Sequence, residues 1–193
     1  MPNHFIFDQS NSSFYGRLKN SYIEPGIVAP PESNAAANDR SFISSATNSS
    51  SLGILGGTVT ISLQISNPLG SGRTMYIAGI VGGVNVSLSL LSSFSASVTL
   101  YQGGTLSSPS TLTPFNAKFG SAAASSMTAR SSTSAPSGAT SFMSYAINPG
   151  LFEFPFQGSL VIPPNQIFTM NVSASLSVAG VLSTTATVMW WEA

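Results

Sequence analysis

Hydrolytic chemistry in this chain would have to be assembled from its many serines and one histidine. A serine nucleophile needs a base to take its proton and a third group to hold that base. The single histidine, His4, lies at the start of the chain, away from any patterned segment that would fix it, and no Gly-x-Ser-x-Gly elbow occurs. A carboxylate pair could come from Glu153 and Glu192, but these acids are isolated in sequence and each reads as a lone surface or interface charge. Metal ligation has no His or Cys cluster and no run of Asp at calcium-loop spacing to draw on. Gly70-Ser71-Gly72-Arg73-Thr74 mimics the end of a phosphate-binding loop. The first glycine of that motif would fall at Asn67, Arg73 replaces the lysine, and a strand pattern follows where a helix is required, so the segment reads as a turn. Six dispersed basic residues cannot form the stripe that neutralises phosphates. The expectation is a chain that is not an enzyme, with no catalytic residue, no cofactor, no metal and no nucleic-acid partner.

Charge speaks more clearly than chemistry. Of twelve charged side chains, seven (Asp8, Arg17, Lys19, Glu24, Glu32, Asp39, Arg40) lie in the first 40 residues, leaving Arg73, Lys118, Arg130, Glu153 and Glu192 for the other 153. Soluble monomers intersperse both signs on their surface and keep a net charge away from zero. This chain has a formal net charge of zero and fills those surface positions with Ser, Thr, Gly and Ala. Such a surface suits coverage by further copies of the same chain.

The elements that must carry that surface read as strands. Val59, Ile61, Leu63 and Ile65 alternate with Thr60, Ser62 and Gln64, the period of two of a half-buried strand. The pattern returns at Val84–Leu90, at Phe94–Leu100, at Val172–Val178 and in a last strand, Thr184 to Trp191. Turn residues separate these runs at 67–72, 103–104, 148–150, 163–166 and 180. Phe152, Phe154 and Phe156 alternate across Pro155, as in a strand at a sheet edge. Trp190-Trp191 places one indole on each face of the final strand, one in the core and the other against a neighbour or also covered internally. No stretch shows a helical stripe. The predicted fold is all-β, an antiparallel β-sandwich of jelly-roll type over residues 51–193, preceded by an extended N-terminal arm over residues 1–50. Residues 120–138, rich in Ser, Ala and Thr, read as an outer surface loop.

The uncharged run from Met75 to Leu91 raises a membrane span, with Gly79 and Gly83 at GxxxG spacing, but its alternation is that of a strand, and the glycines read as a bend or bulge. The start of the chain lacks the basic and apolar regions of a secretory signal. With no cysteine, disulfides are excluded. The arm carries short apolar clusters, Phe5-Ile6-Phe7, Phe14-Tyr15 and Tyr22-Ile23, between polar and proline-rich spacers, suited to lying along an exposed sheet edge. With Trp191, these seven residues are the candidate assembly interface.

Asn-Pro-Leu-Gly-Ser-Gly-Arg at 67–73 running into a Tyr-Ile strand, Leu-Val-Ile-Pro-Pro-Asn-Gln at 160–166 and the closing Val-Met-Trp-Trp-Glu at 188–192 resemble small β-sandwich proteins of bacterial spores and tailed-phage particles. These are head-fibre or decoration proteins, and spore-surface or endospore-appendage subunits of Bacillus-type bacteria. The resemblance implies a jelly-roll structural subunit without enzymatic activity, at the surface of a spore or virion or in an extracellular fibre, made without a signal peptide. It implies a homo-oligomer or helical polymer whose N-terminal strand passes into the next subunit near Phe5-Ile6-Phe7, with an anchoring or capping protein as a further partner. Two other classes stand beside it: a carbohydrate- or surface-binding sandwich using Trp191, Tyr101 or Tyr145 as a stacking platform, and a β-rich pore former suggested by the Ser/Thr alternation.

Overall fold

The computed structural model of the protein describes residues 31–88 and 93–193. Alternation decides which side of each strand is core. In β2 (Gly57–Asn67) Val59, Ile61, Leu63 and Ile65 are buried, and opposite them in β10 (Gln166–Leu176) stand Ala174, Val172, Met170 and Phe168, also buried. β4 (Phe94–Gln102) pairs with the other side of β10 and adds Val98 and Leu100 to the same face. With β5 (Ser110–Leu112), β7 (Thr128–Ser132) and β8 (Thr140–Ala146) these form a six-stranded sheet in the order β5-β7-β2-β10-β4-β8. The facing sheet has five strands, β6-β1-β11-β3-β9, made of β6 (Phe115–Asn116), β1 (Ser41–Leu52), β11 (Gly180–Glu192), β3 (Met75–Leu88) and β9 (Gly150–Ile162).

The long strands are nested, first with last: β1 pairs with β11, β2 with β10, β3 with β9 and β4 with β8, all antiparallel. A long antiparallel ribbon folded over so that successive pairs alternate between two sheets is a jelly roll, and the expected fold class is thus found. β5 to β7 are an insertion between β4 and β8 that widens one sheet and, through β6, the other. The core lies between the sheets, with Trp190 fully buried and its ring centroid 6.1 Å from that of Phe42.

Three features differ from the sequence reading. Residues 41–50, grouped there with the arm, lie in β1, which pairs with β11 along its whole length. The segment is polar, but Phe42, Ser44 and Ala46 are buried, so one aromatic and two small side chains supply an inward face that hydrophobicity alone does not reveal. A short helix, α1 (Pro31–Ala37), precedes it and buries Ala35. Within the serine-rich run 120–138, β7 is an interior strand whose Ala129 and Ser131 face Ile65 and Leu63; with Met127 and Ser132 they are buried, so the run is not simply a surface loop.

The turns fall where the sequence places them. Asn67 is buried at the first: its Nδ2 donates to the carbonyls of Arg73 and Ile162, both at 2.9 Å, and its Oδ1 accepts from Ser71 Oγ. Against β11 the consecutive Met189 and Trp190 stand opposite Gly79 and Ile77, so β3 carries one extra residue, Ala78, in a bulge beside the first glycine of the GxxxG pair. Among the described residues no helix is long and apolar enough to cross a membrane.

Candidate assembly surface

Hydroxyls are paired across strands on the outer faces of both sheets, most of all on the six-stranded one. On the six-stranded sheet Thr58 Oγ1 and Ser175 Oγ are 2.7 Å apart, Thr60 Oγ1 and Ser173 Oγ 3.1 Å, and Thr99 Oγ1 and Ser144 Oγ 3.0 Å. The five-stranded sheet repeats the device with Ser45 and Thr187 at 2.8 Å. Each pair sits directly opposite across the strands, where hydroxyls satisfy one another. Further along the six-stranded sheet the loops at 103–109 and 133–139 lie over this face. Gln64 Nε2 donates to the carbonyl of Gly104, Thr169 Oγ1 to that of Gly103 and Ser62 Oγ to that of Ser134, and all three side chains are buried.

Charge is as sparse in three dimensions as in sequence. Among the described residues Lys118 Nζ donates to Asp39 Oδ2 at 3.0 Å, and Arg73 Nη1 lies 3.5 Å from Glu192 Oε2. Hydrogen bonds from Ser121 and Lys118, with the Lys118 charge, hold the Asp39 carboxyl below its ordinary value. Glu192 is not the lone surface or interface charge expected from sequence. It is almost fully buried, and its carboxylate accepts from Ser125 Oγ, the Ser126 amide and Trp190 Nε1, so that the C-terminal strand is fastened to the insertion. Glu153 is exposed in β9 opposite Val81, whereas Glu192 lies opposite Met75. Six residues of β3 separate those positions, about 20 Å at ~3.3 Å per residue, too far for a shared proton or water. His4 lies outside the described residues, and among the described residues no cluster of His, Cys, Asp and Glu could hold a metal ion.

Seven of the eight candidate interface residues, Phe5, Ile6, Phe7, Phe14, Tyr15, Tyr22 and Ile23, also lie outside the described residues. The eighth, Trp191, is covered within its own chain. It is 8% exposed, stacks on Tyr76 with ring centroids 5.5 Å apart and planes 8° from parallel, and is overlaid by the backbone of Gly158. The adjacent Trp-Trp pair therefore places one indole in the core and one beneath a bulge of β9, and the surface role expected for Trp191 is replaced by an internal one. Tyr145 is likewise engaged, stacked on Phe154 at 4.7 Å, so Trp191, Tyr101 and Tyr145 do not form one aromatic platform.

Sequence reasoning did not single out the open side of the sandwich, where the end strands of the two sheets, β8 and β9, lie side by side. Phe142 and Tyr145 of β8 are 45% and 37% exposed, and a groove of about 370 Å³ opens beside them, lined by Tyr101, Gln102, Leu160, Val161 and Phe168 among others. The signal was present in Phe142-Met143-Ser144-Tyr145, but that run carries no strict alternation, because a register shift between Leu100 and Tyr101 interrupts its pairing with β4.

No family model, no characterised protein and no solved structure matches this chain. The likeness to spore and phage subunits thus rests on the motifs quoted above, of which the first two form turns that fasten neighbouring strands and the third forms the end of β11.

Proposed function

We propose that the protein is a non-enzymatic structural subunit that self-assembles into a fibre or a particle surface layer, its N-terminal arm docking onto a neighbouring copy. The observation that carries the proposal is a jelly roll whose outer faces pair hydroxyls across strands and carry little charge, with two sheet ends side by side on an aromatic-lined opening. An isolated soluble domain has no use for such a surface, whereas a subunit covered by its neighbours does. A spore or virion surface, or an extracellular fibre with an anchoring or capping partner, is the setting this reading suggests.

Negative-stain microscopy of the full chain beside a form lacking residues 1–30 tests it. The cut belongs before Pro31, because α1 and the Arg40 carbonyl, which accepts from the Glu192 amide, are part of the domain. Regular fibres or shells from the full chain and only small particles from the shortened one are expected. Monodisperse monomers from both at high concentration would sink the proposal.

Binding of a glycan or another surface is a second reading, favoured by Tyr101 lining the groove beside the amides of Gln102 and Gln166. Loss of glycan binding in Tyr101→Ala, with assembly intact, would select it.

A further inference from the structure

We propose that β8 is the sheet edge that receives the Phe5–Phe7 segment of a neighbouring copy, as a strand added to the six-stranded sheet. This rests on the arm-docking reading above and names its acceptor.

Among the described residues the two sheets end in four strands: β6 and β9 on one, β5 and β8 on the other. An edge strand offers a row of unpaired backbone groups, and proteins guard such rows with short strands, charges, prolines or bulges. β6 has two residues and β5 three, too short to hold a strand, and the lengths of β1 and β2 that β6 and β7 leave uncovered are turned toward each other, where Asn48 Nδ2 donates to the Thr60 carbonyl. β9 has thirteen but is guarded: Glu153 is exposed on it, Pro155 lacks an amide proton, and Gln157 and Gly158 take φ values of 50° and 84° that break the line. β8 is different. Its seven residues, Thr-Ser-Phe-Met-Ser-Tyr-Ala, contain no charge and no proline, and past the register shift at Phe142 the four residues from Met143 to Ala146 run in regular pairing with β4.

The chemistry of the arm matches this edge. Opposite β4, Met143 faces Leu100 and Tyr145 faces Val98, so both point between the sheets, and Tyr145 meets Phe154 of β9 there. In an extended segment, residues two apart share a face at about 7 Å spacing. Phe5 and Phe7 would thus enter the aromatic seam and the groove beside Phe142, while Ile6 would lie on the outer side with Ser141 and Ser144. The segment Phe5-Ile6-Phe7 is uncharged, as β8 is.

The tether has the length to reach a neighbour. Pro31 borders the same cleft as Trp191 and Ala193, at the end of β11; there Glu192 lies opposite Met75, and Met75 opposite Ile162 at the groove. The chain therefore leaves the domain at the end where the groove lies. Residues 8–30 extend to about 75 Å at ~3.3 Å each, while a domain of this size is roughly 40 Å across. Within one copy two strand spacings, about 10 Å, separate β11 from β9, and β8 lies across the seam in the facing sheet, about 10 Å further. Docking at home would leave most of the tether idle, and its reach fits the next copy.

The chain has no cysteine, so introduced thiols are the only ones present. Full-length Ile6→Cys is mixed with full-length Ser144→Cys or Ser141→Cys under assembly conditions, oxidised and run on a denaturing gel. The expected result is a cross-linked dimer of the two variants at least ten-fold above that with Thr111→Cys on β5, and its loss when Ser144→Lys charges the edge of a chain whose circular dichroism is unchanged. If the double variant Ile6→Cys/Ser144→Cys closes into a compact monomer at high dilution, the arm docks at home and the proposal fails. Assembly seen by microscopy without cross-links to β8 overturns the acceptor and leaves arm docking standing. Monomers throughout, with no cross-link, overturn both.

Discussion

The most telling single residue is Glu192, a carboxylate almost without solvent in a chain that has hardly any charge to place. Its acceptor capacity is used by Ser125 Oγ, the Ser126 amide and Trp190 Nε1, and its charge faces Arg73, which is partly solvated. Replacing it by alanine strands buried donors, each costing about 1–3 kcal/mol. Glu192→Ala is therefore expected to lower the stability by about 3 kcal/mol, seen as a fall in urea midpoint at constant slope, while Glu192→Gln, which keeps an acceptor, costs about 1 kcal/mol. Equal losses in both would place the stabilisation in the charge and not in the hydrogen bonds. Asp39 acts differently. Its carboxyl, hydrogen-bonded by Ser121 and Lys118, is held below the ordinary value of 3.8, so the folded state binds its proton less readily than the unfolded one. Its stabilising contribution is complete above that ordinary value and is lost as pH falls through the lower folded value. Asp39→Asn, which keeps a side chain tolerant of the positive φ of 61° at this position, should be less stable than the parent near neutral pH and converge with it in acid. Urea midpoints of both proteins between pH 2 and 7 measure that gap, and a gap constant with pH would refute the assignment.

At the scale of elements, strands with apolar residues at every second position were legible and those with small residues were not. β2, β4, β10 and β11 announce themselves because Val, Ile, Leu or Phe marks the inward side. β1 and β7 bury serine and alanine, which in one dimension look like linker. Those strands follow from their partners: β11 and β2 each need a neighbour, and in β7 the inward Ser131 and Ala129 stand opposite the larger Leu63 and Ile65, while in β1 Ser44 and Ala46 stand opposite Val188 and Ala186. The charge-poor surface was legible, but the coverage of Trp191 was not, because it depends on a bulge. Between Pro155 and Leu160, β9 spends four residues where β3 spends one, and that excess folds Gly158 onto the indole. A Cβ on Gly158 would lie 2.3 Å from the ring at a φ of 84°, so two penalties coincide. Gly158→Ala is expected to cost about 2–4 kcal/mol and to lift the bulge from the indole. The checks are a red shift of tryptophan emission and easier quenching by acrylamide, with Trp190 as the protected internal control. Unchanged emission and stability would show that the bulge is not what covers Trp191.

At the scale of the whole molecule, the nested pairing makes the last strand indispensable, since β11 lies between β1 and β3 and the five-stranded sheet is not joined before it is made. Sequence-distant pairing of this kind folds slowly, over milliseconds to seconds, and it leaves the edges as the places where one copy can meet another. The nature of that meeting has a direct physical signature. If neighbours join through backbone hydrogen bonds, aromatic rings and hydroxyl ladders, no charged pair lies in the contact, and screening has nothing to weaken. Raising sodium chloride from 50 to 500 mM shortens the Debye length from about 14 to about 4 Å, yet the concentration at which assembly begins should move less than two-fold by light scattering. Sodium sulfate, excluded from protein surfaces, should lower it, because it strengthens burial of apolar area. An onset concentration that rises ten-fold at the higher salt would instead place the contact on Asp8, Arg17, Lys19 and Glu24, the charges clustered in the arm, and would make the tether and not the strand at its tip the adhesive element. The two outcomes separate an assembly built on a charge-poor body from one built on its charged arm.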